Sequence, residues 1–150
     1  MSGTPPRRPA GARRGRPAEH AGESPFKSRG GPARIAEALL NSWSGLRIAY
    51  RIEAAFRQEL ALMALLALPL AALPFSAIER LLLAGSMLLV LVVELMNSAL
   101  EAAIDRISLE DHHLSKRGKD LGSAAVFLAL SFCGICWTVL GVPVLLNAMR

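Results

Sequence analysis

The sequence predicts an all-α membrane protein: one amphipathic helix at the membrane surface, followed by three transmembrane helices. Two stretches, 60–78 and 121–149, contain nineteen and twenty-nine residues without a charge. A third, 81–105, is equally apolar in its first half. Each is long enough to cross a hydrocarbon core of about 30 Å as a helix. The chain has 150 residues, 53% of them hydrophobic, and this length allows at most one folded domain.

Positive charge is concentrated ahead of the apolar stretches. Residues 1–34 hold eight Lys and Arg against two acids, with six of the nine prolines and six of the twelve glycines. Such a composition buries too little apolar surface to offset the entropy of ordering. We therefore predict a disordered basic tail over residues 1–30 and an integral-membrane domain over residues 31–150. Because the remainder of the chain is close to neutral, we expect no nucleic-acid partner.

A helical repeat of apolar residues follows the tail. Its members recur at steps of four, four, three and four: Ile35, Leu39, Trp43, Leu46 and Tyr50. This spacing predicts an amphipathic helix over residues 33–50. A helix of a soluble bundle would look similar, but the apolar stretches that follow favour a helix in the plane of a membrane interface.

The spans and their orientation follow from the distribution of charge. We predict spans over residues 55–78, 81–106 and 119–147. The connection after the second span contains four basic residues: Arg106, Lys116, Arg117 and Lys119. The connection before it has only Arg80. Because basic loops stay in the cytoplasm, we expect a cytoplasmic N-terminus and a C-terminus on the opposite side.

Polar side chains cluster toward the cytoplasmic end of the second span. They share one helical face: Glu94, Asn97, Ser98, Glu101 and Asp105. Polar segments also open the first and third spans, at 51–59 and 115–120. Charges at membrane depth are costly and usually functional. Two carboxylates from different helices are suitable ligands for a Mg²⁺ ion that bridges a polyphosphate.

Other interpretations remain open at this point. Arg57, Glu59 and Arg106 could serve only in interfacial ion pairs, for example between Glu53 and Arg57. Cys133 and Cys136 lie within a span and suit packing rather than redox chemistry, and no phosphate-binding G-x-x-x-x-G-K-[ST] is present. A small proton-coupled transporter using Glu94 as its carrier is a rival function. A scaffold without chemistry would leave the intramembrane acids unexplained.

Four segments together resemble the bacterial integral-membrane diacylglycerol kinase family over residues 34–145. They are SWSGLR (42–47), EAAFRQE (53–59), VELMNSALEAAIDRI (93–107) and KDLGSAAV (119–126). The resemblance implies an interlocked homotrimer in the bacterial inner membrane, with the C-terminus periplasmic and composite active sites at the cytoplasmic interface. It implies that Mg²⁺ and ATP are used to convert diacylglycerol into phosphatidic acid. Undecaprenol kinase, a member of the same family, is the alternative.

The resemblance also implies roles for individual residues. Glu94 would be the catalytic base, Glu53 and Glu101 would hold Mg²⁺, and Asn97 and Asp105 would support the site. The nucleotide would contact Arg34, Asn41, Glu53, Glu101, Glu110, Asp111, His112, Lys119 and Asp120. The lipid would contact Arg34, Ser42, Trp43, Arg47, Ala55, Phe56, Arg57, Glu59, Glu94, Ser98 and Ser123. Asn41 and Ile52 depart from the family's pattern.

Overall fold

The computed structural model describes residues 32–107 and 112–149, and these residues are helical almost throughout. The helices are α1 (Pro32–Ile52), α2 (Ala54–Ala72), α3 (Ala77–Ile107), α4 (His113–Cys136) and α5 (Val142–Ala148). A π-helical turn, Trp137–Gly141, joins α4 to α5. No strand occurs within the described ranges, as the all-α prediction requires. The tail predicted to be disordered, 1–30, lies outside them.

The chain divides into two units, Met1–Ala38 and Leu39–Arg150. The described part of the first unit is the opening of α1, and its side chains from Arg34 to Ala38 are exposed. Helix α1 covers the range predicted for the surface helix, 33–50, while its place at a membrane surface stays a prediction.

Helix α2 ends at Ala72, whereas the first span was predicted to continue to residue 78. Leu73 adopts an extended conformation, with φ −89° and ψ 155°. Its successor is Pro74, whose ring disfavours the helical conformation in the preceding residue. Hydropathy does not report this restriction, because the residues after Pro74 are still uncharged.

Helix α3 begins at a reciprocal cap. The backbone N–H of Ser76 donates to Glu79 Oε2 (2.8 Å), and the backbone N–H of Glu79 donates to Ser76 Oγ (3.3 Å). This capping box satisfies two donors that the first turn would otherwise leave unpaired. The Arg80 guanidinium donates to the carbonyls of Leu73 and Phe75, so the turn between α2 and α3 is closed by its own side chains.

The core lies where α3 packs along α4 and, less extensively, against α2. Its buried members are Met63, Met87, Val90, Ala129 and Cys133. Ser86 is also buried. Its hydroxyl donates to the Leu83 carbonyl (2.7 Å) and contacts Cys133 Sγ (3.6 Å). Both cysteines are free thiols, and Cys133 packs in the core, as its interpretation as a packing residue predicts.

Three helical stretches are long and apolar enough to cross a membrane: Ala54–Ala72, Ala77–Ile107 and His113–Ala148. The third begins at His113, earlier than the predicted residue 119, because its first turns are polar but still helical. Large apolar side chains on these helices are exposed, among them Leu81, Phe127 and Leu128. Exposing such surface to water costs about 25 cal/mol per Å². A hydrocarbon surrounding removes this cost.

Candidate active site

Glu94 is the first residue of the polar face of α3. Its side chain is 4% exposed, and Glu59 of α2 is 7% exposed. The carboxylate of Glu94 interacts electrostatically with those of Glu53 and Glu101, and the Glu59 carboxylate interacts with that of Glu94. Carboxylates from three parts of the chain therefore influence one another electrostatically at this buried position. Burying like charges is unfavourable unless another group compensates them.

Glu53 lies at the break between α1 and α2, with φ −88° and ψ 116°. Its backbone N–H donates to the Ala49 carbonyl (2.8 Å), so helical hydrogen bonding continues to the break. Nη1 of Arg57 donates to the carbonyls of Tyr50 (3.2 Å) and Arg51 (3.3 Å), which are among the last of α1. Arg57 thus caps α1 from α2 and fixes the junction that carries Glu53.

Arg57 does not form the ion pair with Glu53 that the sequence left open. Glu59 does not form an interfacial ion pair with a described residue either. Its Oε2 is buried and has no hydrogen-bond partner. Within the described residues, no basic side chain forms an ion pair with the acidic cluster, Glu53, Glu59, Glu94 and Glu101.

Asn97 is hydrogen-bonded to Glu101 one turn further along α3. Its Nδ2 donates to Glu101 Oε1 at 3.0 Å. A bond from an amide to a charged carboxylate is stronger than a neutral one, so Asn97 restricts the orientation of the Glu101 carboxylate. The supporting role that the resemblance implies for Asn97 stays a prediction, and this bond is the contact through which it would act.

Lys119 joins α4 to the end of α3. Its Nζ lies 2.6 Å from Asp105 Oδ1, and the two side chains are 40% and 47% exposed. This is the one ion pair among residues 32–107 and 112–149. Glu101 also interacts electrostatically with Lys119. The ammonium group therefore lies at the solvent-accessible edge of the acidic cluster.

An open groove of about 630 Å³ runs between the second half of α1 and α3. Its volume falls in the usual range of small-molecule sites. The lining is mostly apolar and includes one carboxylate and two hydroxyls: Ser42, Gly45, Leu46, Ile48, Ala49, Ile52, Glu53, Leu95, Ser98, Ala99 and Ala102. The groove thus brings predicted lipid residues, Ser42 and Ser98, together with a predicted metal ligand, Glu53.

Other residues predicted to contact lipid lie elsewhere in the unit. Trp43 and Arg47 line a separate cavity of about 270 Å³ with Leu46 and Tyr50. Phe56 is buried, whereas Ala55 and Ser123 are exposed outside the groove. A single chain therefore assembles only part of the predicted lipid set.

The predicted nucleotide residues are also only partly gathered. Glu101 and Lys119 interact, while Asn41 and Asp120 are exposed. His112 is the N-cap of α4, where its Nδ1 accepts from the backbone N–H of Leu114 (3.3 Å). Two predicted contacts, Glu110 and Asp111, lie outside the described residues, and Arg34 belongs to the first unit.

Several site residues were not found from the sequence. They are small or apolar residues on the facing sides of α1 and α3: Gly45, Ala49, Leu95, Ala99 and Ala102. Their spacings of three, four and seven residues were a detectable signal for one helical face. Gly122, which lies against Asn97, was not detectable in this way, since only the packing of α4 on α3 brings the two together.

No three His, Cys, Asp or Glu side chains converge into a closed metal site within the described residues. Mg²⁺ commonly binds through one or two carboxylates and completes its shell with phosphate oxygens and water. Glu53 and Glu101 both interact electrostatically with Glu94. Their carboxylates have the hard oxygen donors that such a shared site requires.

Comparison with known proteins decides the family. Residues 40–140 match the family described as prokaryotic diacylglycerol kinase. The chain belongs to this family. It is 50% identical over 111 residues to the diacylglycerol kinase of Escherichia coli, a match covering 73% of this chain and 90% of the relative. The Pseudomonas aeruginosa diacylglycerol kinase is 48% identical over 118 residues, covering 78% and 95%.

A more distant member is similar over the same region. The Helicobacter pylori diacylglycerol kinase is 40% identical over 116 residues, covering 77% of this chain and 89% of the relative. Membership of the prokaryotic diacylglycerol kinase family confirms the resemblance drawn from the motifs. It also confirms the expected enzyme class, a membrane diacylglycerol kinase with a lipid substrate and a nucleotide phosphoryl donor.

Proposed function

We propose that the chain transfers the γ-phosphoryl group of Mg-ATP to the free hydroxyl of diacylglycerol and releases phosphatidic acid into the bilayer. The hydroxyl oxygen forms a bond to the γ-phosphorus, the bond from that phosphorus to ADP breaks, and the hydroxyl proton goes to Glu94. The observation that supports this proposal is the burial of Glu94 inside an apolar span, where it interacts electrostatically with Glu53, Glu59 and Glu101.

The groove between α1 and α3 is proposed as the place where the lipid lies. Its apolar lining suits an acyl chain, while Ser42, Ser98 and Glu53 offer polar partners for a glycerol group. The remaining proposed lipid contacts are Arg34, Trp43, Arg47, Ala55, Phe56, Arg57, Glu59 and Ser123. A substrate that stays in the bilayer reaches this groove laterally, and so the proposed base belongs in a span rather than in a loop.

Glu94 is proposed as the general base. Proton transfer by a positioned side chain contributes typically 10²- to 10⁴-fold to a rate. Phosphoryl transfer otherwise depends on positioning and on neutralising charge rather than on covalent chemistry. A buried carboxylate is poorly hydrated, and the lipid hydroxyl is the partner that would reach it from the apolar side.

Glu53 and Glu101 are proposed to hold Mg²⁺, and Asn97 keeps Glu101 in place through the 3.0 Å bond. When bound, Mg²⁺ neutralises charge on the phosphate oxygens of ATP. Lys119, at the exposed edge of the cluster, is proposed to contact those oxygens, with Asp105 orienting its ammonium. Further nucleotide contacts are proposed for Arg34, Asn41, Glu110, Asp111, His112 and Asp120.

We also propose that residues 31–150 assemble as an interlocked homotrimer in the bacterial inner membrane, with a cytoplasmic N-terminus and a periplasmic C-terminus. Two features support the assembly. The predicted lipid and nucleotide residues are only partly gathered within one chain, and the groove is open rather than enclosed. The basic connection between the second and third spans supports the orientation, and α1 would lie at the cytoplasmic surface.

The test is phosphoryl transfer by purified protein in mixed micelles, with labelled ATP and either diacylglycerol or undecaprenol as acceptor. We expect Mg²⁺-dependent formation of phosphatidic acid and much slower phosphorylation of undecaprenol. Preference for undecaprenol would replace the proposed substrate by that of the alternative. If folded protein transfers phosphate to neither, the kinase proposal fails, and proton flux into proteoliposomes would then test the transporter.

A further inference from the structure

Helix α4 approaches α3 closely at Gly122, which is buried. A side chain beginning at this position would overlap Oδ1 of Asn97, and it would lie 3.2 Å from Asn97 Cγ and 3.5 Å from Leu100 Cδ2. The carboxamide of Asn97 therefore occupies the space that any other residue at position 122 would fill.

The two ends of this carboxamide are held differently. Nδ2 donates to Glu101 Oε1, whereas Oδ1 is buried without a hydrogen-bond partner. Because no hydrogen bond fixes Oδ1, the free space above Gly122 decides where that end lies. The direction in which Nδ2 points then follows, since the amide group is planar.

We propose that Gly122 is a positioning residue, which sets the orientation of the Glu101 carboxylate through the Asn97 amide. The proposal rests on the role of Glu101 as a Mg²⁺ ligand, given above. A methyl group at position 122 would push the amide away or separate α4 from α3. Displacement of the amide would break its bond to Glu101 and leave that carboxylate free to rotate. Separation of α4 alone would leave the bond intact, because Asn97 and Glu101 both lie on α3.

Gly118 provides a matched control one turn earlier on α4. A Cβ there would lie 2.9 Å from Cδ1 of Ile104, also on α3. That atom is the end of a flexible apolar side chain, which can turn aside without disturbing a polar group. Gly118→Ala and Gly122→Ala thus make the same chemical change on the same helix, but only the second reaches the Asn97 amide.

The experiment compares the wild type, Gly118→Ala and Gly122→Ala as purified full chains in diacylglycerol micelles. The first readout is the Mg²⁺ concentration that gives half-maximal activity. The second is binding of Mn²⁺, followed by electron paramagnetic resonance with a non-hydrolysable ATP analogue present. Partners that orient metal ligands typically contribute 10- to 100-fold to metal affinity. We expect Gly122→Ala to weaken both readouts about 10-fold or more, with Gly118→Ala matching the wild type and KM for diacylglycerol unchanged in both variants.

Two results would overturn the proposal: wild-type Mn²⁺ binding in Gly122→Ala, or an equal loss in Gly118→Ala. If Gly122→Ala fails to fold, the double variant Asn97→Ala/Gly122→Ala tests the proposal instead. We expect the double variant to fold and to bind Mn²⁺ as Asn97→Ala alone does, because the amide is already gone. A double variant that stays unfolded or binds more weakly would refute the coupling. A wild type that binds Mn²⁺ but transfers no phosphate would contradict the kinase proposal and leave this comparison intact.

Discussion

The carboxylates of Glu59 and Glu94, on α2 and α3, are both buried and interact with each other electrostatically. Glu59 Oε2 has no hydrogen-bond partner. Two acids in this arrangement reduce the stability of the helix pair, since no basic side chain in the described part of the chain forms an ion pair with either. We interpret their retention as the requirement of a site that binds or moves a proton and a cation.

Replacing Glu59 by Gln should stabilise the protein. The substitution keeps the size of the side chain and removes one of two interacting buried charges. We expect the free energy of unfolding to rise by an amount on the order of 1 kcal/mol. Thermal unfolding in detergent, followed by helical circular dichroism, is expected to shift to higher temperature. The matched control is Glu37→Gln, which neutralises an exposed acid and should leave the transition unchanged. A lower transition temperature for Glu59→Gln would contradict the electrostatic argument.

The roles of Lys119 and Asp105 can be distinguished by the effects of their substitution on catalysis. Replacing either residue breaks the same half-exposed ion pair, and pairs this exposed contribute little to stability. Lys119→Met should in addition lower kcat/KM for ATP about 100-fold, because it removes a charge proposed to contact phosphate. Asp105→Asn should reduce kcat/KM much less. Steady-state kinetics with varied ATP make the comparison, and equal losses in the two variants would show that the ion pair itself is what matters.

The groove can be tested by filling it. Ala99 lines the groove, while Ala103, one turn further along α3, is exposed outside it. Ala99→Leu should raise KM for diacylglycerol several-fold, because the added volume competes with the lipid, and KM for ATP should be unchanged. Ala103→Leu adds the same volume away from the groove and should match the wild type. The proposed lipid position is wrong if the two variants behave alike in micelles of varied diacylglycerol content.

The spans could be predicted from the sequence because charge-free stretches of sufficient length have few other structures available. Their ends depended on local chemistry that hydropathy does not detect. Pro74 ends α2 early through its effect on Leu73, and α4 begins in a polar turn capped by His112. The π turn at Trp137–Gly141 had no signal in the apolar run that contains it.

The site was predictable where it depends on a single helix. Asn97 and Glu101 are four residues apart, and the structure joins them by a hydrogen bond. Contacts between helices were not predictable in this way. The capping of α1 by Arg57 and the fit of Asn97 over Gly122 depend on how α2 meets α1 and how α4 packs on α3. Neither relationship is recorded in residue spacing.

The central claim is that Glu94 accepts the proton of the lipid hydroxyl, and Glu94→Gln tests it most directly. Gln keeps the shape of the side chain but cannot act as a base, so phosphatidic acid formation should fall at least about 100-fold. Mn²⁺ binding in the presence of the ATP analogue and helical circular dichroism should remain at wild-type levels, which would show that the fold and the cation site persist. A folded Glu94→Gln variant that retains more than roughly a few per cent of wild-type kcat would contradict the claim, since the loss of a general base removes typically 10²-fold or more.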